Sequence, residues 1–240
     1  MMKTLFVSDF DRTLYVNREI SRENLSVLED WKRRGNLFVI ATGREENILR
    51  ELLGKYHLTA DYLICNNGAE VVDWEGRVLF ERTMEEHTVC RIVEELLREY
   101  HTAVDVTQKS GRIQVKDREE PEHSYKNVFQ LHVRFEDTDR TRAAAERLNL
   151  RYEGAEAFAN EWNLDIVHRG IDKAGGIEAL LKIINWKGKV AVIGDSFNDL
   201  CMIERFGGHT LAAADKEVQK KAVSVCRDVA ECIKRIEERI

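Results

Sequence analysis

Runs of apolar residues alternate with amphipathic stretches in the first and last thirds of the chain. The run at 37–41 is continuously apolar, which is typical of a strand buried on both faces of a sheet. Similar runs predict strands at 4–8, 62–65, 189–194 and 210–213, and a hairpin at 71–80. Spaced apolar positions predict helices at 21–34, 45–57, 173–185, 197–206 and 228–240. This alternation predicts an α/β fold with a Rossmann-like, open and mostly parallel sheet.

The middle of the chain follows a different pattern, in which strands outnumber helices. Helices are predicted at 85–100 and 138–148, and strands at 103–107, 112–116, 128–135, 151–159 and 163–167. We interpret 83–168 as an α+β domain inserted into a core formed by 1–82 and 169–240. The polar stretch 116–127 is expected to be an exposed loop of this insertion.

Composition narrows the class of protein. Hydrophobic residues make up 43% and charged residues 33% of 240 positions, which fits a folded globular chain and not a disordered one. The longest apolar runs are about five residues, whereas a membrane span needs about 20. The net charge is −6, whereas a protein that binds nucleic acid typically carries an excess of basic residues. The five cysteines form no CxxC pair, which indicates reduced thiols and a cytoplasmic protein.

Polar clusters follow three of the predicted strands. Asp9 and Asp11 follow the first, Thr42 the second, and the segment 194–199 the strand near the end of the chain. Because the carboxyl ends of parallel strands meet at one edge of a sheet, these clusters are expected to converge. Lys173 opens the preceding helix and can reach the same edge.

The chemistry of this edge indicates phosphoryl transfer. It gathers four carboxylates, those of Asp9, Asp11, Asp195 and Asp199. Such a group repels itself unless a cation lies within it, and oxygen ligands favour Mg²⁺. Lys173, Thr42 and Asn198 remain as donors for phosphoryl oxygens.

These clusters resemble the motifs of the haloacid dehalogenase superfamily of aspartate-nucleophile phosphatases. The four motifs correspond to 8–14, 42–44, Lys173 and 194–199, and the segment 66–69 resembles the Cof-type subclass. One position departs from the family, which usually has glycine where Arg12 stands. We expect the Arg12 side chain to point to solvent.

The resemblance implies a role for each residue. Asp9 would form an aspartyl-phosphate, and Asp11 would protonate the leaving group and then activate water. Mg²⁺ would be held by the Asp9 carboxylate, the Asp11 backbone carbonyl and Asp195, with support from Asp199. The phosphoryl group would be bound by Thr42, Gly43, Lys173 and Asn198, and the candidate substrate contacts are Arg44 and Asn67.

The insertion lies between the second and third motifs, which is the position of the family's type-two cap. Its strand-rich pattern resembles the subclass B cap of sugar-phosphate phosphatases. The expected function is therefore Mg²⁺-dependent hydrolysis of a small phosphorylated metabolite, most simply a sugar phosphate. The expected protein is a monomer or small homo-oligomer with no nucleic-acid or membrane partner.

Three alternatives use similar residues. A phosphomutase of the same superfamily shares the chemistry, although the segment 194–199 is more compact than the fourth motif of the phosphomannomutases. A catalytically silent phosphate-binding regulatory protein would retain the fold, but every catalytic position here carries the required residue type. A response-regulator receiver also uses Asp, Thr and Lys, but it carries its acidic pair and its acceptor on different strands.

Charge is unevenly distributed between the two expected domains. Residues 83–165 carry 18 acidic and 12 basic side chains, so this region accounts for the whole net charge of −6. A polyanionic leaving group would meet an unfavourable potential there. The sequence therefore predicts a preference for neutral leaving groups, such as hexoses and pentoses, over bisphosphates and nucleotides.

Overall fold

The computed structural model describes residues 3–100, 102–116 and 125–238. The first third holds β1 (Thr4–Asp9), α1 (Arg22–Arg33), β2 (Leu37–Ala41), α2 (Glu46–Lys55), β3 (Tyr62–Cys65), β4 (Glu70–Asp73) and β5 (Val78–Glu81). The middle holds α3 (Glu86–Tyr100), β6 (Val104–Gln108), β7 (Gly111–Val115), β8 (Val128–Arg134), α4 (Thr138–Arg151), β9 (Ala155–Asn160) and β10 (Asn163–His168). The last part holds α5 (Lys173–Ile183), β11 (Lys189–Gly194), α6 (Leu200–Phe206), β12 (His209–Leu211), α7 (Lys216–Lys221), β13 (Ser224–Cys226) and α8 (Val229–Glu237).

Contacts divide the chain into two compact units. The first comprises the residues up to Phe80 and those from Asp172 onward, and the second comprises Glu81–Ile171. The insertion expected at 83–168 lies within these bounds. The assignment of the two parts to a catalytic core and a cap stays a prediction.

The first unit is built on an open sheet with the strand order β13-β12-β11-β1-β2-β3-β4-β5. Neighbouring strands from β13 to β3 run parallel, and β4 returns antiparallel to β3. The predicted α/β fold with a mostly parallel sheet is confirmed. Because β11, β1 and β2 are adjacent, the polar residues that follow them emerge side by side.

Strand β1 shows why these runs are continuously apolar. Phe6 packs on one face of the sheet against Trp31 of α1, with ring centroids 6.0 Å apart. Leu5 and Val7 point to the other face and pack with Ile177 of α5. Helices thus cover both faces, and neither set of alternating positions can be polar.

The second unit holds a five-stranded sheet in the order β7-β6-β8-β10-β9, with antiparallel pairing between the neighbours. Its core joins the apolar face of this sheet to α3 and α4 through residues such as Leu96, Leu131 and Leu148. The α+β character predicted for the insertion is confirmed. Most of the polar stretch 116–127 lies outside the described residues.

Several local details differ from the sequence expectation. In α2 the apolar spacing predicts Ile48, Leu52 and Leu53 as the inward positions. Leu53 is buried as predicted, but Ile48 and Leu52 are half-buried and Leu49 is buried instead. The helix expected at 197–206 begins as a 3₁₀ turn, because the Asp199 carboxylate accepts hydrogen bonds from the backbone at its start. No helix in the ranges that the structure describes has the length and apolar character that a membrane span needs.

Candidate active site

The polar residues at the strand ends meet in the first unit. Asp9 is the last residue of β1, Thr42 directly follows β2, and Asp195 directly follows β11. Lys173 is the first residue of α5, whose N-terminus is capped by the Asp172 carboxylate, 2.6 Å from the backbone nitrogen of Gly175. The structure therefore brings together the residues that the sequence placed at one edge.

A buried lysine lies at the centre of this site. Lys173 Nζ donates to Asp9 Oδ1 at 2.7 Å and to Asp199 Oδ1 at 2.6 Å, and only 1% of the lysine is exposed. Burial alone would lower the pKa of Lys173, but the carboxylates of Asp199 and Asp9 outweigh it and raise the pKa. The ammonium group is consequently charged and fixed between two acids.

Asp199 also uses its second oxygen. Its Oδ2 accepts hydrogen bonds from the backbone nitrogens of Asp195 and Ser196, both at 3.0 Å, and from Ser196 Oγ at 3.1 Å. A side chain at Gly194 would place its Cβ 2.5 Å from the Asp199 Cβ, so only glycine fits there. These contacts fix the loop that carries Asp195.

Asp9, Asp195 and Asp199 form a buried acidic cluster, with one oxygen of each lying within 4.8 Å of the others. Asp9 Oδ2 is buried and has no hydrogen-bond partner among the described residues. Burial, followed by the charge of Asp199, raises the pKa of Asp9 well above its usual value and that of Asp195 to about 6. A cation would offset both the cost of burying these charged carboxylates and the repulsion between them. A donor set made only of oxygens fits Mg²⁺.

Two neighbours of Asp195 were not assigned from the sequence. Thr13 Oγ1 donates to Asp195 Oδ1 at 2.8 Å, and Arg12 Nε lies 3.3 Å from Asp195 Oδ2. The Arg12 side chain is 54% exposed, so the expected solvent orientation is right only in part, because its guanidinium also reaches this acid. Arg12 has a φ of 67°, the left-handed region that favours glycine, which explains why glycine is the usual residue there.

Asp11 forms a bidentate ion pair with Arg44. Arg44 Nε and Nη2 each donate to an Asp11 oxygen at 2.7 Å, and the guanidinium lies 5.6 Å from the centre of the Phe10 ring. The hydrogen bonds to Asp11 raise the pKa of Arg44. The Asp11 side chain is 44% exposed, so it lies at the mouth of the site, outside the buried acidic cluster.

The remaining predicted residues connect the loops after β2, β3 and β11. Asn67 donates its backbone N–H to the Thr42 carbonyl at 3.0 Å, and Asn198 Nδ2 donates to Asn67 Oδ1 at 3.3 Å. A Cβ added at Gly43 would lie 3.2 Å from the Asn67 amide nitrogen. These contacts place Thr42, Gly43, Asn67 and Asn198 close together. Their assignment to phosphate or substrate binding stays a prediction.

Gly68 allows the loop after β3 to pack closely against the start of α5. Its φ is +101°, and a Cβ there would lie 2.1 Å from the Asp172 carbonyl oxygen. We expect Gly68→Ala to cost about 1–2 kcal/mol for backbone strain and about 1–3 kcal/mol more for the clash. Chemical denaturation measures the loss. Gly170→Ala is the matched control, because φ is +78° there and the space is open, so only the backbone cost should appear. Equal losses in the two variants would contradict the close packing at Gly68.

Residues 6–232 match the family described as haloacid dehalogenase-like hydrolase, and the chain belongs to this family. It is therefore a hydrolase and, as predicted, a phosphatase. The resemblance stated from the motifs is confirmed.

Known proteins are similar to this chain over different shares of its length. An uncharacterized protein of Mycoplasma capricolum is 36% identical over 91 residues, which cover 35% of this chain and only 34% of that protein. The 5-amino-6-(5-phospho-D-ribitylamino)uracil phosphatase of Bacillus subtilis is 24% identical over 93% of this chain and 89% of its own. A solved HAD subclass IIB sugar phosphatase is 20% identical, with a TM-score of 0.82 over 98% of this chain and 99% of that chain, which shows the shared fold.

Proposed function

We propose that this protein is a Mg²⁺-dependent phosphomonoester hydrolase that works through an aspartyl-phosphate on Asp9. The observation that supports this most directly is the state of the Asp9 carboxylate. Lys173 holds one of its oxygens, and the other is buried without a partner beside Asp195. An oriented but unsatisfied carboxylate oxygen suits a nucleophile.

In the first half-reaction, an Asp9 oxygen forms a bond to phosphorus as the ester P–O bond breaks. The leaving oxygen takes a proton from Asp11. In the second half-reaction, water attacks phosphorus, gives its proton to Asp11 and releases Asp9 and inorganic phosphate. Lys173, with the rim formed by Thr42, Gly43 and Asn198, stabilises the transferring phosphoryl group by fixed positive charge and hydrogen bonds.

The residues proposed to hold Mg²⁺ are the carboxylates of Asp9 and Asp195 and the backbone carbonyl of Asp11. When bound, the ion supplies positive charge that neutralises phosphoryl oxygens. Asp199 keeps both oxygens in protein hydrogen bonds. Its proposed role is therefore to position Asp195 and Lys173, in agreement with the supporting role expected from the resemblance.

The ion pair between Arg44 and Asp11 has a consequence for the acid step. Both Asp11 oxygens accept hydrogen bonds from Arg44, so this pair occupies the carboxyl group that the proposed reaction needs at the leaving oxygen. To reach the leaving oxygen, Asp11 must leave this pair. We propose that the oxygens of an arriving phosphate ester compete for Arg44, which gives Arg44 its role as a substrate contact and frees Asp11.

Rapid-quench analysis with a phosphate ester labelled at phosphorus tests the proposal. A hydrolase forms an acid-stable, hydroxylamine-sensitive phosphoenzyme and then releases labelled inorganic phosphate. A phosphomutase would return the label to a sugar, and a silent phosphate-binding protein would form no phosphoenzyme. Absence of the phosphoenzyme in the presence of Mg²⁺ and a hydrolysed ester would overturn the assignment of Asp9.

Metal affinity should depend on pH because Mg²⁺ binds the ionised carboxylate. Burial raises the pKa of Asp195 to about 6, so the proton competes with the metal below that value. We expect the Mg²⁺ affinity to fall as the pH falls, by up to about tenfold per pH unit for each ligand that must lose a proton, since the pKa of Asp9 is raised as well. Calorimetric titration with Mg²⁺ from about pH 5 to about pH 8 measures this. An affinity that is independent of pH would exclude both Asp195 and Asp9 as ligands.

The proposed substrate is a sugar phosphate or a similar monoester with a neutral leaving group. The names of the similar sugar phosphatase and ribitylaminouracil phosphatase support this class. We propose that the second unit acts as the cap that selects the leaving group, and that the protein works in the cytoplasm on small molecules.

The excess of acidic residues in 83–165 should affect which phosphate esters are hydrolysed fastest. We expect kcat/KM for hexose and pentose monophosphates to exceed that for bisphosphates and nucleotides by about tenfold at low salt, and by less as salt screens the potential. A matched series of esters assayed at two salt concentrations measures this. A preference for the polyanions at both concentrations would reverse the prediction.

A further inference from the structure

A second buried cluster of potential metal ligands lies in the first unit and is made of residues that the proposed reaction does not use. It consists of His209 on β12, Cys226 on β13 and Cys232 on α8. One ligand atom of each lies within 4.8 Å of the others, and the three residues are buried. Both cysteines are free thiols.

The pairing of strands explains how residues so distant in sequence converge. In the parallel pair of β12 and β13, His209 is opposite Ser224, and Cys226 is two residues further along. Side chains two residues apart on a strand point to the same face, so His209 and Cys226 share a face. Cys232 comes from α8, which packs in the same core cluster as Cys226.

Hydrogen bonds connect the members of this cluster. Ser224 Oγ lies 2.7 Å from His209 Nδ1 and 3.7 Å from Cys226 Sγ. Cys226 also hydrogen-bonds to Cys232 and His209. The three candidate ligands and Ser224 therefore form one connected group.

We infer that His209, Cys226 and Cys232 form a three-ligand site for a thiophilic divalent cation, with zinc as the ion that these ligands suit. Sulfur and imidazole nitrogen are the ligands of zinc in proteins, at about 2.3 Å and about 2.0–2.1 Å. Ligand atoms already within 4.8 Å of one another need only a small movement to reach such distances. Both thiols would bind as thiolates, so binding would release their protons to solvent, and the ion would link β12, the edge strand β13 and α8.

Cobalt(II) titration of the reduced full-length protein in excess Mg²⁺ tests this inference. We expect one equivalent of Co²⁺ to produce a thiolate-to-cobalt charge-transfer band and the visible absorption of a low-coordinate site, and Zn²⁺ to displace it. Oxygen ligands such as Asp9 and Asp195 give no thiolate band, so the reading is independent of the proposed phosphatase chemistry. Zn²⁺ at about a hundredfold excess over its Kd should also raise the Tm by about 5 °C or more.

Variants locate the site. Cys226→Ser and Cys232→Ser should each weaken Co²⁺ binding and lower the charge-transfer band, and the double variant should abolish it. Cys90→Ser, a matched thiol change in the second unit, should leave the band unchanged. Far-UV circular dichroism shows whether each variant is folded, and His209→Gln, which keeps both thiols, should weaken Co²⁺ binding and alter the visible bands.

Three outcomes would overturn the inference. They are the absence of a thiolate band in the reduced protein, a band that survives when both Cys226 and Cys232 are replaced by serine, and mass spectrometry showing a Cys226–Cys232 disulfide that forms equally fast with and without Zn²⁺.

Discussion

Replacing Asp9 with asparagine is expected to reduce kcat by at least about 10⁴-fold and to abolish the phosphoenzyme. Asparagine keeps the size of the side chain but removes the charged oxygen that would attack phosphorus. Its amide can still accept a hydrogen bond from Lys173, which donates to Asp9 at 2.7 Å. The measurement is steady-state turnover together with quenched labelling of the enzyme.

The stability of the same variant separates a lost nucleophile from a lost fold. Burial and the charge of Asp199 raise the pKa of Asp9, so removing its charge relieves repulsion in the metal-free protein. We therefore expect the Tm of Asp9→Asn without metal to equal or exceed that of the wild type. The matched control is Asp30→Asn, an exposed acid on α1, which should leave turnover unchanged. Turnover of Asp9→Asn above about 1% of the wild type would contradict the role of Asp9.

Several strands and their end points could be predicted because a strand buried on both faces of a sheet is continuously apolar in sequence. The strands at 37–41, 62–65 and 189–194 have the predicted bounds, and the polar residues that follow them converge because β11, β1 and β2 are adjacent. The sites of Asp9, Thr42 and Asp195 therefore follow from the pattern and from one rule of sheet topology.

What the sequence did not reveal depends on side-chain geometry. Nothing in the spacing indicates that Arg44 turns toward Asp11, or that Thr13 donates to Asp195, although Thr13 belongs to the first motif. The helix α7 and the strand β13 were missed because each is short and carries too few apolar positions for a period to appear. The convergence of His209 with Cys226 depends on the register of that missed strand.

Replacing Lys173 with methionine is expected to lower both activity and stability. Lys173 is the ammonium partner of two buried carboxylates, those of Asp9 and Asp199. Removing one partner of a buried ion pair leaves uncompensated charge and typically costs about 3–5 kcal/mol. Turnover should fall by at least about 10²-fold, because the phosphoryl group loses a fixed positive charge. Lys182→Met, an exposed change on the same helix, should leave both quantities nearly unchanged.

The loss of stability in Lys173→Met is expected to depend on pH in a definite direction. Without the ammonium group, the folded-state pKa of Asp9, already raised by burial, moves further above its unfolded value. The penalty is then present above the folded pKa and disappears as the pH falls, so Lys173→Met should approach the wild-type free energy of unfolding in acid. The double variant Lys173→Met with Asp199→Asn removes one of the stranded charges and should recover part of the stability at neutral pH, but no turnover. The single and the double variant could instead lose the same stability, with the loss unchanged between neutral and acidic pH. That result would show that Lys173 stabilises the fold by packing alone and not by pairing with the two acids.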